Sequence, residues 1–351
     1  MNDCSKAARA ADRARIITID AEIRELQERI RVLHLEREPC QQRLDAYKYP
    51  VITLPNEITS EIFVRFLPRY PDCSPLSGLT SPTTLTHICR QWRDIAVATP
   101  MHWRALYIGS AASRTGQVQR VVHTWLDRSG SCPLSINVER DYSGATTQKE
   151  SLIATLQHRE RWQHAQLNLA AEKMALIKGP MPLLESLCVA VNLLDYTHPA
   201  TTVGDFPRLR SVTLDDANHG NWLPLSQLTT LTLNDVHGVN YLAPLQAAVN
   251  LAHLYLVDCS APEFGPSNTL TRLEILVVFS GGPLRRKHVR SVTCLISRSG
   301  CKLQQILFTG TSEVSEESLR AALPSVPTVT FDKKYDWYYE AGRGFKNGLG
   351  L

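Results

Sequence analysis

The chain has no C-x-x-C pair, no G-x-x-x-x-G-K-[ST] or G-x-G-x-x-G loop, no G-x-S-x-G elbow and no H-E-x-x-H. These absences remove a thiolate metal or redox pair, a phosphate cradle, a dinucleotide turn, a serine nucleophile and a zinc-peptidase helix. Eleven histidines and nine cysteines never fall at zinc-ligand spacing, so neither a metal nor any other cofactor is expected. The cysteines are odd in number and scattered, Cys294 and Cys301 being the closest pair. That distribution fits reduced thiols in cytoplasm or nucleus better than a disulfide scaffold. No run approaches 18 uncharged apolar residues, so no membrane span is expected. The opening MNDCSKAARAADRAR lacks the apolar core of a secretory signal. The charge is not concentrated either. Its net value is +4, and 38 Lys and Arg are intermixed with 34 Asp and Glu, which gives no basic stripe for nucleic acid.

What remains is a chain of 351 residues, 43% apolar and 21% charged, enough for two or three globular domains. Its hydrophobic periodicity changes along its length. In residues 1–49, Ile16, Ile19, Ile23, Leu26, Ile30 and Leu33 alternate three and four apart, an a/d heptad series. Glu22, Glu25 and Glu28 stand among Arg24, Arg29 and Arg31 on the polar face. Two readings stand: a short coiled coil making a homodimer through residues 16–33, or a helix that is solvated or folds back on its own chain. Pro39 interrupts the register, with a restart expected over Cys40, Leu44 and Tyr47, and Tyr49-Pro50 ends it.

Residues 50–102 read as short helices. LPNEITSEIF, Leu54 to Phe63, places Ile58, Ile62, Phe63 and Phe66 at helical spacing behind Pro55. A second helix, entered at Ser81-Pro82 and stopped at Thr99-Pro100, is expected to carry Leu85, Ile88, Cys89, Trp92, Ile95 and Ala96 on one stripe. So few residues cannot enclose a large core, which leaves apolar surface for a partner.

From Trp103 to residue 331 the unit becomes apolar-x-x-apolar-x-apolar, the strand segment of a leucine-rich repeat. It is read at Trp103/Leu106/Ile108, Pro133/Ile136/Val138, His164/Leu167/Leu169, Leu184/Leu187/Val189 and Leu209/Val212/Leu214. It continues at Leu228/Leu231/Leu233, Leu251/Leu254/Leu256, Leu273/Leu276/Val278, Leu303/Ile306/Phe308 and Val326/Val329/Phe331. Helices are expected between strands at 117–128, 148–159, 287–298 and 316–323. Single strands alternating with helices predict a parallel sheet whose units are buried only by stacking. The fold class is α+β overall: an N-terminal helix, an all-α segment, then an α/β leucine-rich-repeat-like solenoid and a tail, 332–351.

The sequence LPNEITSEIF, with Ile88-Cys89-Arg90-Gln91-Trp92-Arg93 and Pro100-Met101-His102-Trp103, resembles the F-box, most of all the F-box-like proteins of mushroom-forming fungi. One departure is the join from Pro68 to Pro82, longer than the few residues usual in that family. The resemblance implies a substrate-recognition subunit of a Skp–cullin–F-box ubiquitin ligase, non-catalytic, holding a protein substrate near the conjugating enzyme. Its partners would be a Skp-type adaptor and, through it, a cullin–RING ligase. By motif, Leu54, Pro55, Ile58, Ile62, Leu85, Ile88, Cys89 and Trp92 would supply the motif's core and its adaptor contacts. Phe63 and Trp103 would be structural, Trp103 seating the helices on the first repeat. The alternative is an F-box scaffold outside any ligase.

In the repeats, residues between the apolar positions face away from the core. They read Ser211-Thr213-Asp215 and Thr230-Thr232-Asn234, then turn apolar at His253-Tyr255-Val257 and Ile275-Val277-Phe279. Those last six are the candidate substrate patch, unless the tail, with Trp337, Tyr338 and Phe345, covers it. Asp216, Asp235 and Asp258 recur after strands and read as turn residues rather than a metal ladder. Arg285, Arg286, Lys287, His288 and Arg290 read as the solvated start of a helix.

Overall fold

The computed structural model describes residues 2–47, 50–109, 118–139, 146–169, 173, 176–191, 205–215, 223–234, 242–257, 270–279 and 284–332. The chain falls into two compact units, Met1–Ile58 and Thr59–Leu351. The expected boundary at 102/103 is therefore internal to the second unit.

The first unit is dominated by α1 (Asn2–Ala46), one helix that continues through Pro39. Proline there removes the bond to the carbonyl of Leu35 without ending the helix, so the expected restart does not occur. The heptad residues Ile16 to Leu33 are 39–57% exposed. A 3-10 turn over Pro50–Thr53 follows. Helix α2 (Asn56–Phe66) begins directly after Pro55 and runs across the division between the units.

Among the described residues the second unit is organised by a sheet of eleven strands, all parallel and in chain order. They are β1 (Ser74–Pro75), β2 (Ala105–Ile108), β3 (Leu134–Val138), β4 (Trp162–Leu169), β5 (Ser186–Val191) and β6 (Ser211–Asp215). The rest are β7 (Thr230–Asn234), β8 (His253–Val257), β9 (Ile275–Phe279), β10 (Gln305–Thr309) and β11 (Thr328–Asp332). Ten of the eleven coincide with the ten sequence repeats, an α/β solenoid-like arrangement. Pairing stacks like on like: Leu231, Leu254, Leu276 and Ile306 form one ladder, and Leu233, Leu256, Val278 and Phe308 the next. All eight are buried, which is why no unit could stand alone.

The helices packed on these ladders are α5 (Val118–Arg128), α6 (Thr146–Leu156), α7 (Leu242–Ala247), α8 (Arg286–Ser299) and α9 (Glu316–Ala322). Val118, Val122, Trp125 and Leu126 of α5 and Val289, Val292 and Leu295 of α8 join the same core as the strands.

One repeat sits two residues from its expected frame. Ala165 pairs with Ile136 and Leu187, and Leu167 with Val138 and Val189, so the unit is Trp162-x-x-Ala165-x-Leu167. Trp162 is fully buried, whereas His164 lies on the opposite sheet face beside Ser135 and Ser186. The small Ala165 in the middle position hid the true frame.

The join from Pro68 to Pro82 is not a free loop. Ser74 and Pro75 pair with Leu106 and Tyr107 and so add β1 to the sheet before the first repeat. An open edge presents unpaired N–H and C=O groups, and a two-residue edge strand containing a proline keeps them few. Tyr70 anchors the strap: its hydroxyl donates to Gln163 Oε1 at 2.8 Å, and the Arg104 guanidinium lies 4.0 Å from its ring centre. Ser135 Oγ donates to the carbonyl of Pro71 at 2.5 Å and lies 3.3 Å from Cys73 Sγ. The long join between Pro68 and Pro82 thus carries the sheet's terminal strand.

Candidate functional site

The helical segment after Thr59 closes on a small core of Phe63, Leu67, Leu85, Ile95 and Ala96, with Trp92 against it. Phe63 meets Trp92 edge-on at 4.9 Å between ring centres and His102 at 5.8 Å. The expected second helix is two helices, α3 (Pro82–Leu85) and α4 (Arg90–Ala98). The break is built locally. Cys89 has extended dihedrals and caps α4, its sulfur accepting from the Trp92 N–H at 3.5 Å. Arg93 Nε donates to the freed carbonyl of Thr86 at 2.7 Å. Serine-like capping by a cysteine gives little signal in a sequence, which is why the stripe read as continuous.

This geometry sorts the candidate adaptor contacts. Leu85 is 3% exposed and belongs to the core, and Cys89 and Trp92 are half-buried in the cap and core edge. Leu54 is half-buried, while Pro55 and Ile58 are exposed in the first unit. In the second unit Ile62 is 44%, Phe66 50% and Ile88 56% exposed. On α2 the pattern divides cleanly. Thr59 and Phe63, and Leu67 just beyond the helix, are buried, while Ile62 and Phe66, four residues apart, share the exposed face. Met101 and Val97 are also exposed, and neither was among the sequence candidates. Nothing in the sequence marked them, because their neighbours decide which side of a short helix is covered.

Trp103 is fully buried and belongs to the solenoid core. Its ring meets Trp125 edge-on at 5.3 Å, and its indole N–H donates to the carbonyl of Ala96 in the helical core at 2.7 Å.

The candidate substrate patch is partly closed. Register brings the six residues together in three rows: His253 beside Ile275, Tyr255 beside Val277, and Val257 beside Phe279. Four are half-buried, but Val257 is only 3% and Val277 only 2% exposed. Strand spacing of about 4.8 Å puts a side chain on either hand of each. Val277 lies between Tyr255 and Leu307, and Val257 between Asn234 and Phe279. The expectation of six exposed residues is therefore corrected to four partly exposed ones around two buried valines. Asn234 Oδ1 and Thr309 Oγ1, which flank the third row, are buried without hydrogen-bond partners among the described residues. The tail proposed to cover this face lies outside the described residues, as do Asp216, Asp235 and Asp258.

The basic cluster opens α8. His288 is buried, its Nδ1 accepts from the Arg285 N–H at 2.9 Å, and Arg285 lies 3.5 Å from the Glu313 carboxylate. Burial, then the charges of Lys287 and Arg285, hold the His288 pKa below the ordinary range. Among the described residues no cluster of His, Cys, Asp or Glu is placed to hold a metal ion. No described helix is long and apolar enough to cross a membrane.

No protein-family model matches this chain. Comparison with curated proteins likewise gives no match.

Proposed function

We propose that this protein is a non-catalytic substrate-recognition subunit of a Skp–cullin–F-box ubiquitin ligase. The short helices act as an F-box for a Skp-type adaptor, and the leucine-rich-repeat-like solenoid holds a protein substrate. The observation that carries the reading is the division of α2. Phe63 closes an internal core while Ile62 and Phe66 leave a bulky apolar face uncovered. Exposed aromatic and branched aliphatic side chains on a rigid helix are the usual anchors of a protein interface. The rigid link from that helix core to the solenoid through Trp103 suits the task, which is to raise the local concentration of substrate lysines at the ligase. The substrate would be a protein meeting the sheet face around His253, Tyr255, Ile275 and Phe279. The site of action would be cytoplasm or nucleus.

The test is recovery of the tagged full-length chain from fungal cells. An adaptor together with a cullin in the precipitate is the expected result. An adaptor without a cullin moves the chain to the non-ligase scaffold class, and neither overturns both.

A further inference from the structure

The helical stripe of α1 has a charge pattern that selects both its partner and the direction of pairing. With Ile16, Ile23 and Ile30 at a and Ile19, Leu26 and Leu33 at d, three heptads present branched residues to solvent at 39–57% exposure. The outer face is already occupied: Arg31 Nε lies 2.9 Å from Glu28 Oε2, and Gln42 Nε2 donates to Glu38 Oε1 at 3.2 Å. Pro39 falls at a c position, away from the stripe. In parallel coiled coils β-branched residues at a with leucine at d suit two strands; here a is isoleucine throughout and d is Ile19, Leu26 and Leu33, so direction has to come from charge.

Direction is set by the residues that continue and flank the stripe. Asp12 occupies the d position before Ile16, and Arg37 the a position after Leu33. In a parallel pair each would meet its own copy, Asp12 on Asp12 and Arg37 on Arg37. In an antiparallel pair with Ile23 opposite Leu26, Asp12 meets Arg37 at both ends. The g positions read Arg15, Glu22, Arg29 and Glu36, alternating in sign. Antiparallel pairing sets Arg15 against Glu36 and Glu22 against Arg29, each twice. Its least favourable flank is Arg13 near His34. The parallel alternative offers only Arg15 with Asp20 and brings Arg29 near His34.

We propose that α1 pairs with a second copy of this chain as an antiparallel two-stranded coiled coil, Ile16, Ile19 and Ile23 facing Leu33, Ile30 and Leu26 of the other copy. The pairing is independent of the adaptor reading.

Sedimentation equilibrium of the full-length chain tests the pairing. The expected result is a dimer in the micromolar range that Glu22→Arg weakens by about tenfold or more, since it sets like charges together at two places. Adding Arg29→Glu to Glu22→Arg restores it. A monomer throughout, or a dimer that ignores Glu22→Arg, overturns the proposal. Direction is read by mild oxidation. Cys40 stands at d, opposite Arg9 in the antiparallel pair and opposite itself in a parallel one. Arg9→Cys is expected to give a cross-linked dimer that Cys40→Ala abolishes. A Cys40–Cys40 cross-link in the unaltered chain would mean parallel helices and overturn the direction. Circular dichroism of each variant confirms that the helix is retained.

Discussion

The indole N–H of Trp103 donates to the carbonyl of Ala96 at 2.7 Å, and this bond ties the helical core to the 3-10 turn that leads into β2. Both residues are fully buried, and Trp125 stands edge-on to Trp103 at 5.3 Å with a 90° interplanar angle. Trp103→Ala removes the bond and leaves a cavity, so it is expected to cost about 3–5 kcal/mol in urea unfolding. Trp103→Phe keeps much of the packing and should cost less than half of that. Equal losses would mean that the bond, not the ring, carries the link.

The two faces of α2 separate stability from recognition. Leu85→Ala, in the core beneath it, is expected to lower stability by about 2–5 kcal/mol. Ile62→Asp with Phe66→Asp changes only exposed positions and should leave stability within about 0.5 kcal/mol per site. Urea midpoints for the two variants check both statements.

Acid should loosen the fold. Burial holds the pKa of His102 and of His164 below the ordinary 6.5. His102 is held by the carbonyls of Ala96 and Ser60, each at 3.4 Å, and His164 lies against the ring of Tyr70. The unfolded chain therefore takes up protons first as pH falls, and stability declines below about 6.5. Thermal midpoints across this range should drop on the acid side, and His102→Gln should flatten part of the drop.

The strap over the sheet edge should behave as part of the sheet. Tyr70→Phe loses the hydroxyl bond to Gln163 and is expected to cost about 1 kcal/mol. Tyr70→Ala also loses the Arg104 contact and should cost about 2–3 kcal/mol, within one cooperative transition. Burial pushes the thiols of Cys73 and Cys188 from 9.0 up to about 12. The unfolded chain ionises first above pH 9, so their contribution is present below 9 and lost as pH rises toward 12. In the folded protein at mildly alkaline pH, iodoacetamide should label exposed Cys40 and leave Cys73 and Cys188 unlabelled until denaturant is added.

The strands were legible because each repeats an apolar triplet whose burial is shared with its neighbours. Leu231, Leu254 and Leu276 announce one ladder from sequence alone. His164 misled because Ala165, the residue that fills the core there, is too small to stand out. The strap was not legible: Ser74 and Pro75 have no strand character of their own, and pairing with Leu106 and Tyr107 alone makes them a strand. The helix break at Cys89 was missed for a similar reason, since the cap depends on a sulfur reaching one particular N–H. At the candidate site the residue types were right for a small helical core, but exposure was not readable. Phe63 and Phe66 are the same amino acid one turn apart, and only tertiary packing buries one and leaves the other out.

The most direct test of the account is co-expression of the full-length chain with a fungal Skp-type adaptor, followed by gel filtration. The account predicts a stable complex with one adaptor per chain, abolished by Ile62→Asp with Phe66→Asp while the fold is kept. An unaltered chain that elutes without the adaptor, or a doubly substituted one that still carries it, would contradict the central claim.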